Sequence, residues 1–127
     1  MNTTAALIHP EPDDASLLTK AFLRAADLLG LNQKEVAQVL GKSEPTVSRL
    51  TNKTVQLDPV GKEWEIALIF LRIYRSLDAL FGGHEADLRA WFTTHNRALG
   101  GIPRDLIKNL QGLFLVIQYL DAMRGKI

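Results

Sequence analysis

The 127-residue chain contains no cysteine. That removes disulfides, thiolate nucleophiles and cysteine-based zinc sites together, so stability has to come from packing, as in a reducing compartment. Neither sign of charge prevails: 15 Lys and Arg stand against 14 Asp and Glu, for a formal net charge of +1. Bulk electrostatics does not announce a nucleic-acid binder, and any such role has to rest on a local basic face. No apolar run approaches the roughly 20 residues that a bilayer crossing needs. The first residues, MNTTAALIHPEPDD, lack the basic region and apolar stretch of a secretion signal. The expectation is a soluble protein of the cytoplasm that touches no membrane. Period-two alternation is missing as well, which excludes an evident strand. His9, His84 and His95 are isolated, and none stands in a metal-ligand spacing. Gly82-Gly83 and Gly100-Gly101 neither follow a strand nor precede Lys and Ser or Thr, which argues against a phosphate loop. Glu11, Asp13 and Asp14 read as a solvated acidic patch, since nothing around them predicts burial. No constellation of nucleophile, base or metal ligands emerges. The chain reads as a non-enzyme without catalytic residues, metal or cofactor.

What is present is helix pattern, in a chain that is 46% hydrophobic. Residues 1–15, with Pro10 and Pro12, show no sustained periodicity and are expected to form a flexible lead-in. From Leu17 onward Leu18, Phe22, Ala25 and Leu29 share one helical face, and Gly30 marks a stop. Asn32 and Glu35 form a capping box for a short helix beginning at Gln33, with Val36, Ala37 and Leu40 facing inward and Gly41 ending it. Ser43 caps the next helix, which has Pro45 in its first turn and Val47 and Leu50 inside. TNKTVQLDPVG then reads as a linker with a turn at Asp58-Pro59. A long helix from about Lys62 to Phe81 is apolar on most sides, with Glu65, Arg72 and Ser76 marking a narrow wet face. Such a helix must be buried on most sides, as a spine shared by the two halves or partly in a dimer interface. Gly82-Gly83 ends it. A shorter helix follows at about Glu85 to Thr94, Pro103 opens another, and Gly112 is expected to separate that from a last helix aligned by Leu113, Val116, Ile117 and Leu120. The fold class is all-α: a small helical bundle with a helix-turn-helix over 16–60, joined by the spine helix to a second helical domain over 61–127.

Two short helices around a glycine turn are what a DNA-reading unit requires, the first bracing the second as its outward residues enter the major groove. The stretch Gln33 to Leu50 resembles the helix-turn-helix of Xre-type, phage-repressor-like regulators. The resemblance implies that Ser43, Glu44, Thr46, Ser48 and Arg49 are the readers. Arg49 can grip guanine with two hydrogen bonds, and Glu44 can accept from cytosine. Gln33 sits where the leading amides approach a phosphate, and Lys34, Lys42 and Lys53 can neutralise backbone charge. The alternative is a helical hairpin that has kept its packing and lost its DNA contacts.

The stretch WFTTHNRALGGIPRDLI gathers Trp91, Asn96, Leu99, Gly100, Gly101 and Pro103 between two helical patterns. Physically it can be a tight corner: Asn96 satisfies its own backbone, the glycines permit unusual conformations and Pro103 fixes the next helix start. Together with Asp105-Leu106, Gly112, Val116, Leu120 and Gly125, the order and spacing resemble the toxin-binding domain of Xre/ParS/MbcA-type antitoxins, departing from it at Arg104, where an apolar or acidic residue is usual. The resemblance implies a bacterial type II antitoxin. Such a protein silences a cognate ADP-ribosyltransferase-like toxin, a RES-domain or related NAD-using protein, and represses its own operon as a homodimer within a toxin–antitoxin hetero-oligomer. It also implies that the basic tail of Arg124, Gly125, Lys126 and Ile127 reaches the toxin's cofactor cleft, against the alternative of a frayed terminus. A stand-alone dimeric helix-turn-helix repressor is the other functional reading.

Overall fold

The computed structural model describes residues 14–125; the features expected of residues 1–13, including His9, Glu11 and Asp13, and of Lys126 and Ile127 lie outside them. The described residues are all-α, as expected, with a single isolated bridge between Asn96 and Gly101. The elements are α1 (Asp14–Leu28), α2 (Gln33–Leu40), α3 (Glu44–Thr51), α4 (Lys62–Phe81), α5 (Glu85–Thr93), α6 (Pro103–Leu106) and α7 (Leu110–Gly125).

Helix α1 begins inside the segment expected as lead-in. Asp14 and Ala15 are both buried, so Asp14 does not belong to a solvated acidic patch. The apolar stripe starts one turn earlier than it was read: Ala15, Leu18 and Phe22 lie inside, whereas Leu17 is 47% exposed. Asp14 in the first turn also suits the positive end of the helix dipole.

The stripe of α1 is laid on α4, where Phe22 meets Phe70 edge to face with ring centroids 5.0 Å apart. Helix α4 also packs against α2, α5 and α7, which explains its apolar circumference as a spine within one chain. Ser76 is the exception to its expected wet face. It is 1% exposed, because α7 covers that side and Arg124 donates to its hydroxyl at 3.2 Å. Further polar ties join distant helices: Arg72 pairs with Asp121 on α7 at 2.6 Å, and Arg89 on α5 donates to the Leu28 carbonyl at the end of α1 at 2.8 Å. The linker is also anchored. Its Leu57 side chain is buried, and the Leu57 N–H donates to the Thr19 hydroxyl of α1 at 3.0 Å.

Gly112 does not separate two helices. It is buried in the first turn of α7, where its N–H is capped by the Asn109 side chain at 2.8 Å. Its role is close approach. A Cβ at this position would lie within 2.5 Å of the Leu106 carbonyl carbon and overlap the carbonyl oxygen, so α6 can end against α7 only because no side chain intervenes. Backbone cannot yield as a flexible side chain does, and overpacking of this kind costs about 3 kcal/mol. Gly112→Ala is expected to lower unfolding free energy by about that amount in urea titrations; an unchanged midpoint would show that α6 and α7 can part without cost.

Candidate functional site

The first candidate surface is the hairpin of α2 and α3. The Asn32 side chain accepts from the Glu35 N–H at 2.8 Å, and the Glu35 carboxylate accepts from the Asn32 N–H at 3.1 Å, so both arms of the capping box are made. Gly41 takes a left-handed conformation, φ 67°, and the Lys42 N–H closes back onto the Ala37 carbonyl at 3.0 Å. Ser43 caps α3 by accepting from the Thr46 N–H at 3.2 Å. Val36, Ala37, Leu40, Val47 and Leu50 are buried, and they turn the opposite side of α3 outward.

On that outward side Glu44 and Arg49 are exposed, with Thr46 and Ser48 half-buried between them. Arg49 leans on the Thr46 hydroxyl at 3.4 Å, one turn back. Other expected contacts have partners within the chain. The Ser43 hydroxyl serves the cap and lies 2.9 Å from the Thr46 hydroxyl, Gln33 donates to the Glu44 carbonyl at 3.1 Å, and Lys42 pairs with Glu63 of α4 at 3.5 Å. Lys34 and Lys53 are exposed, Lys53 in the left-handed region just after α3. Two cations were missed in the sequence. Lys20 and Arg24 of α1 line, with Lys53, a groove of about 520 Å³ beside the hairpin. Their spacing of four residues on one helix face was the available signal.

The second surface is the corner between α5 and α6. The Asn96 N–H donates to the Gly101 carbonyl at 2.9 Å, its carbonyl accepts from the Gly100 N–H at 2.9 Å, and its side chain accepts from the Leu99 N–H at 3.1 Å. Asn96 thus closes the turn with main chain and side chain together. Gly100 uses the left-handed freedom expected of the pair (φ 75°), but Gly101 does not and instead packs beside Leu106. Leu99 and Pro103 are buried, and build the corner rather than its face. Trp91 is half-buried and stacked on Tyr119 of α7 at 6.3 Å, beside a hollow of about 380 Å³ edged by Phe81, Asp87 and Asn96. Arg124 and Gly125, at the end of α7, are exposed.

Arg104 turns back toward the hairpin. Its guanidinium grips the Glu35 carboxylate with two hydrogen bonds, at 2.6 and 2.5 Å, and Lys108 adds an ion pair at 3.2 Å. Glu35 is 7% exposed and serves two masters, the α2 cap and the α6 corner. The Arg104 hydrogen bonds pull its pKa from 4.5 to about 2; burial opposes this, and the Asn32 amide and Lys108 assist. The sequence signal was incomplete: Arg104 and Lys108 are four apart, but nothing local to them points to Glu35.

Among the described residues no group of three potential ligands is placed to hold a metal ion, and no helix is long and apolar enough to cross a membrane. The family model of the antitoxin Xre-like helix-turn-helix domain matches residues 9–72, and that of the antitoxin Xre/MbcA/ParS C-terminal toxin-binding domain matches residues 76–126. Neither describes an enzyme. No curated protein matches the chain.

A carboxylate whose folded pKa is depressed stabilises the fold fully above its unfolded value and loses that contribution as pH falls through the folded one. For Glu35 the window runs from about pH 4.5 down to about 2. A shift of this size corresponds to stabilisation on the order of 3 kcal/mol. Glu35→Gln is expected to lose that at neutral pH and to flatten the acid limb in urea titrations across the window; an acid limb as steep as in the unaltered protein would remove Glu35 as its source.

Proposed function

The chain belongs to the family of antitoxins built on an Xre-like helix-turn-helix domain, with the Xre/MbcA/ParS toxin-binding domain behind it, and from that premise we propose how its two halves act. The antitoxin binds and neutralises a cognate toxin of the ADP-ribosyltransferase-like, RES-domain class and represses its own operon, in the cytoplasm, as a homodimer within the toxin–antitoxin assembly. The observation that carries the DNA half of this reading is the outward side of α3, where Arg49 and Glu44 stand exposed on a helix whose other side is fully packed. Arg49 contacts a base edge and Lys34 and Lys53 contact phosphates, while Gln33, Lys42 and Ser43 hold the hairpin in shape. A single such hairpin reads one half-site, which is why a two-fold mate is proposed.

The toxin half of the reading rests on the corner. Trp91, Asn96 and Gly100 offer its accessible side, and Leu99, Gly101 and Pro103 support it from beneath. Arg104 acts inside the molecule, through Glu35. The choice of toxin class rests on the resemblance of the Trp91 to Pro103 stretch.

Co-expression with the toxin encoded beside it is expected to restore growth and to yield a stable complex, and the purified antitoxin is expected to block NAD loss in vitro. Repression without any co-purifying toxin would favour the stand-alone repressor instead. Arg49→Ala is expected to weaken operator binding about tenfold or more and relax preference at one base position. Unchanged affinity and preference in gel-shift titrations would count against α3 as the reading helix.

A further inference from the structure

Helix α7 carries large apolar side chains on its open side as well as on its packed one, interspersed there with Gln111, Gln118 and Asp121. Leu113, Val116, Ile117 and Leu120 are buried, with α4 and α6 as the main packing partners of the helix. On the other side Leu110, Phe114 and Leu115 are 51%, 48% and 40% exposed. This apolar surface continues beyond the helix. Leu115 lies one turn before Tyr119, Tyr119 stacks on Trp91, and Trp91 shares with Phe81 the wall of the hollow beside the corner. The result is a ridge running from Phe114 through Leu115, Tyr119 and Trp91 and ending in a socket. The exposed large apolar residues of the other half, Leu17, Val55 and Val60, fall on α1 and at two points after α3, and they do not share an element.

We propose that this ridge is the surface on which the toxin docks, an assignment that rests on the antitoxin reading and specifies where it acts. All its members lie within residues 76–126, the part of the chain matched by the toxin-binding model. Large aromatic and apolar side chains on a firm helix, with a pocket at one end, are the composition of an interface centre rather than of a solvent face. The socket specifies its occupant further. Phe81, Ala90 and Trp91 supply apolar walls, Asp87 supplies a carboxylate acceptor, and Thr94, His95 and Asn96 make the rest of the edge polar. It takes a protruding apolar side chain of the toxin, flanked by a hydrogen-bond donor such as a lysine, an arginine or a backbone amide. A two-fold mate that sets two α3 helices side by side is a different requirement, and α7 does not count the hairpin among its main packing partners.

Phe114 and Leu115 are exposed enough to change without unfolding the chain. Phe114→Glu and Leu115→Glu, each introduced in the full-length antitoxin and titrated with the toxin encoded beside it, are expected to weaken the complex tenfold or more. Melting temperature and operator affinity should stay unchanged, and Val60→Glu, on the linker tip, should bind as the unaltered chain does. If the unaltered antitoxin binds the toxin and both ridge variants bind it equally well, the ridge is not the docking surface although the antitoxin reading stands. If the variants turn a dimer into a monomer in sedimentation with toxin affinity unchanged, a second copy occupies the ridge and the proposal is overturned. If the unaltered chain binds no toxin, the antitoxin reading itself fails and this assignment with it.

Discussion

One buried carboxylate carries the junction between the two halves of this molecule. Glu35 accepts from the Asn32 amide, from both arms of Arg104 and from Lys108. A carboxylate taken out of water without such partners costs several kcal/mol, so the three groups that meet it are constrained together. The start of α2 cannot shift without releasing α6, and α6 cannot swing without exposing the cap of α2. At the other end of α2, Lys42 reaches Glu63 at the start of α4. The hairpin is therefore gripped in the first turn of its first helix and just after that helix ends, and α3, pinned to α2 by Val47 and Leu50, inherits that orientation.

This arrangement makes one body of two units that the sequence presents as separate. The spine α4 buries residues from both halves, with Phe70 against Phe22 of α1 and other faces against α5 and α7. Its polar ties lie where the covering helices meet water: Arg72 with Asp121, and Arg124 over Ser76. An exposed pair such as Arg72 with Asp121 contributes little to stability by itself. What the ties do is fix the rotation of α7 on α4, and with it which face of α7 is left open.

Local pattern was enough to read the helices, the capping box, the Gly41 turn and the Asn96 corner, because each depends on residues within a turn or two of one another. The elements that were misread depend on a distant neighbour. Ser76 looked wet until α7 covered it, Gly112 looked like a break until the carbonyl of Leu106 lay against it, and Asp14 looked solvated until the first turn of α1 met the core. Arg104 is the clearest case. Its partner is 69 residues away, and neither residue's immediate surroundings encode the pairing. The candidate surfaces follow the same division. The outward side of α3 could be read from its own spacing, whereas the exposed side of α7 could not, since Phe114 and Val116 are equally apolar and only the position of α4 decides which of them is covered.

The anchored linker has a consequence for the integrity of the chain. Leu57 is held by its buried side chain and by the Thr19 hydroxyl, while three residues later Val60 stands 92% exposed at the tip of a turn. A protease that cuts at this tip severs the covalent path between hairpin and spine. It leaves in place the contacts that cross the cut: the packing of α1 on α4, Lys42 on Glu63 and Arg104 on Glu35. The two fragments would stay together as one particle, so that cleavage seen on a denaturing gel need not mean separation in solution.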